Sequence, residues 1–192
     1  MNVIIYCEFS GRVRDAFAES GHNAWSCDIL PTESPGNHFQ ERAENVIRET
    51  AGYWDLAICH PPCTYLCNSG VRWLHEMPGR WEQMREAAAF FKMFLDMDVP
   101  RIAVENPVMH GYGLEIVGKP SFGVQPWQHG DPEKKRTMFW TKNLPPLEST
   151  NIVTPTASTV HNAAPNPDRS KLRSLTFPGI ARAMAEQWGN SR

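Results

Sequence analysis

The stretch Asp55-Leu56-Ala57-Ile58-Cys59-His60-Pro61-Pro62-Cys63-Thr64 decides how the chain is read. A short apolar run, residues 56–59, ends in two prolines, and a cysteine follows at once. The run has the length and composition of a buried inner strand. Neither proline can donate to a sheet ladder, so the strand stops there. Cys63 is then carried on stiff backbone at the strand's carboxyl end, the edge at which open α/β sheets bind ligands. A thiol held in such a place is a candidate nucleophile. A cysteine that merely packs is the alternative on this segment alone.

Outward from this strand, the pattern predicts alternating strands and helices. Residues 2–6 are apolar and β-branched, a first buried strand, and Cys7-Glu8-Phe9-Ser10-Gly11 is a turn. Residues 12–20 fit a helix with Val13, Ala16 and Phe17 on one face and Gly21 as its stop. Residues 24–29 read as a second strand ending near Asp28, and residues 32–38 as a polar loop. Residues 43–50 and 81–95 read as helices, the latter with a stripe of Met84, Ala87, Ala88, Phe91 and Leu95. A strand at 101–104 leads into Glu105-Asn106-Pro107, another is expected at 137–140, and a helix closes the chain at 177–188, with Pro178 in its first turn. Residues 149–171 carry many Pro, Thr and Asn with no sustained period and read as loop. Strand, glycine-bearing turn, helix, strand ending in an acid is the opening of a doubly wound α/β fold with a mostly parallel sheet. Only Gly11 stands where a full dinucleotide fingerprint has three glycines, so a cofactor loop and a plain turn both remain open there.

Bulk composition narrows the classes. A chain of 192 residues holds one α/β domain with a real core. Its formal net charge of −2 excludes a strongly basic nucleic-acid footprint overall, while local clusters stay possible. No apolar run approaches the ~20 residues of a membrane span, and the amino terminus lacks a signal-peptide core. Five cysteines, an odd number without framework spacing, imply reduced thiols and a cytoplasmic setting.

In order along the chain, several segments resemble the cytosine-5 DNA methyltransferase family, in the manner of small phage-borne methylase-like proteins. Phe9-Ser10-Gly11 and its helix look like the family's first motif, which cradles S-adenosylmethionine. Asp28, followed by Ile29, stands where the family places an acid for the cofactor ribose. Pro61-Pro62-Cys63 with Asn68-Ser69-Gly70 resembles the nucleophile loop, and Glu105-Asn106-Pro107 the Glu-Asn-Val motif. Lys135-Arg136 sits where an arginine-bearing motif is expected, and residues 177–185 are similar to the last helix, which returns to the cofactor. The matches span residues 3 to 188. The chain departs from the family at Thr64, usually Gln, and at Pro107, usually Val. The loop region at about 143–173 stands in place of the family's large recognition region, which implies recognition through a partner protein or a relaxed sequence preference.

The resemblance implies a single Rossmann-like, reduced methyltransferase domain over 1–192 that uses S-adenosylmethionine and acts on a cytosine flipped out of DNA. It implies Cys63 as the nucleophile adding to carbon 6, and Glu105 as the group holding the ring nitrogen and exocyclic amine. Arg136 is the implied cation that lowers the thiol's pKa or steadies the base. Phe9, Ser10, Gly11, Asp28, Ile29 and Pro61 are the implied cofactor contacts. Arg12, Arg14 and Arg72 could touch phosphates but read first as ordinary surface arginines, and Trp73, Trp81, Trp127 and Trp140 read as packing residues rather than base-stacking platforms. Rival readings are an amino-methyltransferase, which His60-Pro61-Pro62 superficially resembles, a silent relative that binds without turnover, and action on RNA or a free nucleotide. A metal site built on Cys59, Cys63 and Cys67 with His60 and His75 matches no established ligand spacing, and no metal is expected.

Overall fold

The computed structural model describes residues 1–156 and 169–190. Among these, the chain runs β1 (Asn2–Tyr6), α1 (Arg12–Glu19), β2 (Asn23–Asp28), β3 (His38–Gln40), α2 (Ala43–Glu49), β4 (Leu56–Cys59), α3 (Trp73–Glu76) and α4 (Arg80–Leu95). It continues with β5 (Arg101–Pro107), α5 (Gly111–Val117), β6 (Phe122–Val124), β7 (Thr137–Lys142), α6 (Arg169–Ser174) and α7 (Pro178–Gly189). The strands form one sheet in the order β3-β2-β1-β4-β5-β7-β6. All pairs from β3 to β5 are parallel, and β7 is antiparallel to both its neighbours. The α/β, doubly wound expectation holds.

Alternation along the inner strands explains the two layers of helix. Ile4, Tyr6, Ala57 and Cys59 face one side, where α4 lays Met84, Ala88, Phe91 and Phe94 against them. Val3, Ile5, Leu56 and Ile58 face the other, covered by Val13 and Phe17 of α1 and Ile180, Met184 and Trp188 of α7. β4 has no exposed residue, as a strand covered on both faces requires. Cys59 therefore belongs to the core, away from Cys63 and Cys67, which are half-buried on the following loop. Among the described residues no group of three or more His, Cys, Asp or Glu could hold a metal ion, and no helix is long and apolar enough to cross a membrane.

Several expectations need correction. Arg14 is not a surface arginine: it is 1% exposed, packed between α1, β2 and the loop that follows β2. β3 forms inside the stretch expected as loop and its continuation, and β5 and β7 each run beyond the expected strand. α5 forms despite two glycines because His110 caps it, its ring accepting the Gly113 N–H at 3.0 Å. Within the expected loop region, residues 157–168 lie outside the described residues and 169–174 are helical. Gly179 opens α7 against the turn at His129, where a Cβ would overlap the His129 carbonyl, so only glycine fits.

Candidate active site

Because β1, β2, β4 and β5 run the same way, their carboxyl ends gather at one edge of the sheet. The antiparallel β7 starts at that edge, since Thr137 pairs with Pro107, the last residue of β5. Residues from six chain segments thus meet there.

At the end of β1, the turn carries Glu8, which is 5% exposed and accepts the N–H groups of Val13 at 2.6 Å and Arg14 at 3.1 Å. A carboxylate on a helix N-terminus is favourable in charge and hydrogen bonding. Burial pushes the Glu8 carboxyl up nonetheless, with His60, the two N–H groups and Arg14 offsetting only part of it. Phe9 is buried and its carbonyl accepts from Glu33, Ser10 is half-buried with its hydroxyl toward Glu8 and the Arg12 N–H, and Gly11 enters α1 at φ 76°. At the end of β2, Asp28 accepts the Leu30 N–H at 2.9 Å. Burial raises its carboxyl, and the N–H bonds and His38 oppose that. Ile29 beside it is 70% exposed.

Arg14 secures the loop leaving Asp28. It donates to Asp15 (2.7 Å), to the hydroxyls of Ser26 (3.2 Å) and Thr32 (3.1 Å), and to the carbonyls of Ser34 (2.9 Å) and Pro35 (3.3 Å). A Cβ on Gly11 would overlap its guanidinium.

At the end of β4, Pro61 is buried and its carbonyl accepts from Asn106 Nδ2 at 3.2 Å, which ties the proline loop to β5. The chain then turns once, with the N–H groups of Leu66 and Cys67 on the Cys63 carbonyl. Arg80 stacks over Tyr65 at 4.2 Å and donates to the Thr64 carbonyl. The Asn68 N–H donates to the Val108 carbonyl and the His110 N–H to the Leu66 carbonyl, which joins this loop to the segment after β5. Trp81 packs edge-on to Tyr112 and Trp140 to Phe91, so both serve packing.

A narrow cleft of about 10 Å³ lies between the ends of β4 and β5, the start of β7 and the start of α7. His60, Glu105, Lys135, Thr137 and Phe177 are among its walls. Glu105 Oε2 lies 3.3 Å from His60 Nδ1. Burial pushes the Glu105 carboxyl up, but hydrogen bonds from His60 and Thr137 and the charge of Lys135 outweigh it and hold the group below its usual range. Lys135 also donates to the carbonyls of Arg173 (2.8 Å) and Leu175 (3.5 Å), and Arg12 to that of Thr176 (3.0 Å), so residues 173–176 are pinned across the cleft.

Lys135 is among the walls of this cleft, whereas Arg136 is exposed and is not. Alternation into β7 sends one of the two neighbours inward, and sequence alone does not say which. Nor is Cys63 ionised at rest. Its S–H donates to Cys67, which with burial and the Glu105 charge pushes the Cys63 thiol up, Lys135 opposing. Accepting that bond pulls Cys67 down, and Ser69, the Gly70 N–H and Arg173 add to it against burial. The contact thus drives the two thiols in opposite directions, Cys63 up and Cys67 down. Glu8, His60, Cys67 and Lys135 were not singled out for these places. The signals were an acid just ahead of a glycine-bearing helix start, an imidazole beside Pro-Pro, and a second thiol one turn on.

No family model and no curated protein matches the sequence. Among solved structures, the chain resembles a protein encoded within an E. coli prophage and assigned as a DNA modification methyltransferase, with TM-score 0.50 and 16% identity over 88% of this chain and 56% of that one. It also matches the Entamoeba histolytica methyltransferase EhMeth, with TM-score 0.45 and 15% identity over 86% of this chain and 60% of that one. The chain thus spans under two thirds of the length of either, and the likeness to the prophage-encoded protein is one of fold, in keeping with a Rossmann-like sheet.

Proposed function

We propose that the chain transfers a methyl group from S-adenosylmethionine to carbon 5 of cytosine in DNA, through a covalent adduct with Cys63, acting as one reduced catalytic domain. The observation that carries this is the placement of the Cys63 loop and Glu105 at adjacent carboxyl ends, locked together by the Asn106–Pro61 bond. The prophage protein of similar fold is assigned to DNA modification, which favours DNA as substrate.

The chain's residues fit the cofactor. Asp28 offers an acceptor and Ile29 an exposed apolar face side by side, as ribose hydroxyls and a purine require. The α1 N-terminus, where dinucleotide folds hold phosphate, is already taken by Glu8, which suits a nucleoside lacking phosphate and bearing positive charge. When bound, S-adenosylmethionine supplies an electrophilic methyl group.

The protein's part follows from the site. Cys63 attacks carbon 6 as its proton passes to Cys67, the acceptor one turn away. Glu105, held ionised, accepts from the exocyclic amine of the target and so orients the base in the cleft. Lys135 pins the far wall and its charge acts on Glu105 across the cleft. The segment at 143–173 is too short for a separate recognition domain, so a partner protein or relaxed sequence preference would supply target choice. The test is mass spectrometry of nucleosides from DNA of cells expressing the chain. 5-Methylcytosine that disappears with Cys63→Ala is expected. N4-methylcytosine or N6-methyladenine would replace this function with amino-methylation.

A further inference from the structure

His60 is unlike the other walls of the cleft. Its side chain is 6% exposed, it sits on the last stiff position before Pro61-Pro62, and Nδ1 lies 3.3 Å from Glu105 Oε2. Nε2 is buried and has no hydrogen-bond partner among the described residues. An ionised carboxylate only accepts, so in the neutral imidazole Nδ1 carries the hydrogen and Nε2 carries a lone pair. A carboxylate that fixes the tautomer of a histidine whose other nitrogen is left open is the arrangement of an oriented general base. Glu105 on β5 and Glu8 on the β1–α1 turn are the acids near the ring, and Lys135 before β7 is the cation on the same cleft.

We propose that His60 Nε2 is the base that removes the carbon 5 proton from the methylated adduct. The inference rests on the cytosine-5 function proposed above. Once carbon 5 bears both methyl and hydrogen, that hydrogen must leave as a proton before the enzyme is released. Nε2 takes the proton, the C5–H electron pair becomes the C5–C6 double bond, and the C6–S bond breaks to return Cys63 as a thiolate. Two carboxylates near the ring stabilise the imidazolium that results. The proton then passes to solvent, so each turnover releases one.

The experiment uses the full chain, S-adenosylmethionine and plasmid DNA tritiated at cytosine carbon 5. Wild-type protein is expected to release tritium to water and to leave no lasting adduct. His60→Ala and His60→Gln, the latter keeping a donor toward Glu105, are expected to release tritium at least about 100-fold more slowly. Protein linked to ordinary DNA through Cys63 should accumulate in both, and added imidazole should restore release by the Ala variant. Wild-type release rates in the variants would overturn the role of His60. Loss of release and of adduct together in both variants, without imidazole rescue, would overturn it too, since the ring would then only hold the site together. Absence of tritium release by the wild type would overturn the cytosine-5 function itself, and the base with it.

Discussion

Arg14 offers the sharpest test of how the cofactor side of the edge is held. Its guanidinium is buried at 1% exposure and makes five hydrogen bonds, four of them to groups on β2 and the loop at residues 32–35. Replacement by Met keeps much of the aliphatic volume and removes every donor. The hydroxyls of Ser26 and Thr32 can turn to other acceptors or donors: Ser26 already meets His38 and Thr32 already donates to Ser34. The carbonyls of Ser34 and Pro35 lose a charged donor, at about 1.5 kcal/mol each or a little more. Asp15 loses its ion pair, but at 35% exposure solvent screens most of that loss. The total is about 3–4 kcal/mol, or roughly 6–16 °C in Tm for a domain of this size. Urea unfolding of Arg14→Met against wild type reads it directly, with circular dichroism to confirm that the fold persists. Because the loop continues from Asp28 and Ile29, affinity for S-adenosylmethionine should fall as well. A loss below about 1 kcal/mol, with cofactor binding unchanged, would refute the view that this one side chain clamps the loop.

Three further outcomes follow from the same contacts. Asn106→Ala leaves the buried Pro61 carbonyl without its donor and should cost about 1–3 kcal/mol in urea unfolding, with turnover falling as the proline loop loosens; unchanged stability and turnover would count against the clamp. Iodoacetamide at neutral pH should label Cys67 before Cys63, read by peptide mass mapping; the reverse order would contradict a thiol pair in which Cys63 is pushed up and Cys67 pulled down. Glu105 is held below the ordinary glutamate value of about 4.3, so its ionised form stabilises the fold above that pH, and this is lost as pH falls through the lower folded value. Glu105→Gln should therefore lose stability near pH 7 and converge on wild type as the solution is acidified; a gap that does not change with pH would show that the carboxylate's charge is not what stabilises.

The inner strands were legible because a fully buried strand is a continuous apolar run closed by residues that cannot extend it. Leu56 to Cys59 and Pro61-Pro62 say this without context, and α4 repeats its stripe long enough to be unmistakable. β3, β6 and α5 were not legible, since three to seven residues hold too little periodicity and owe their form to neighbours, as β3 does to β2. Arg14 was hidden because a charged residue beside Val13 and Phe17 reads as solvated until the loop carbonyls that surround it are known. At the cleft, the positions of Cys63 and Glu105 on adjacent strand ends were readable from motif order. Which of Lys135 and Arg136 lines the cleft depends on the course of the backbone into β7, and the opposite shifts of Cys63 and Cys67 depend on the turn closing between them. Both are properties of the folded backbone.

In the proposed reaction everything turns on the sulfur of Cys63. A DNA duplex with 5-fluorocytosine in place of cytosine cannot lose its carbon 5 substituent as a proton, so a thiolate adduct formed on it persists. Incubated with the protein and S-adenosylmethionine, then digested and read by mass spectrometry, it should yield a nucleotide-linked peptide containing Cys63, absent from Cys63→Ser. Methylated DNA without any such linked peptide, or a link to a different residue, would contradict the claim.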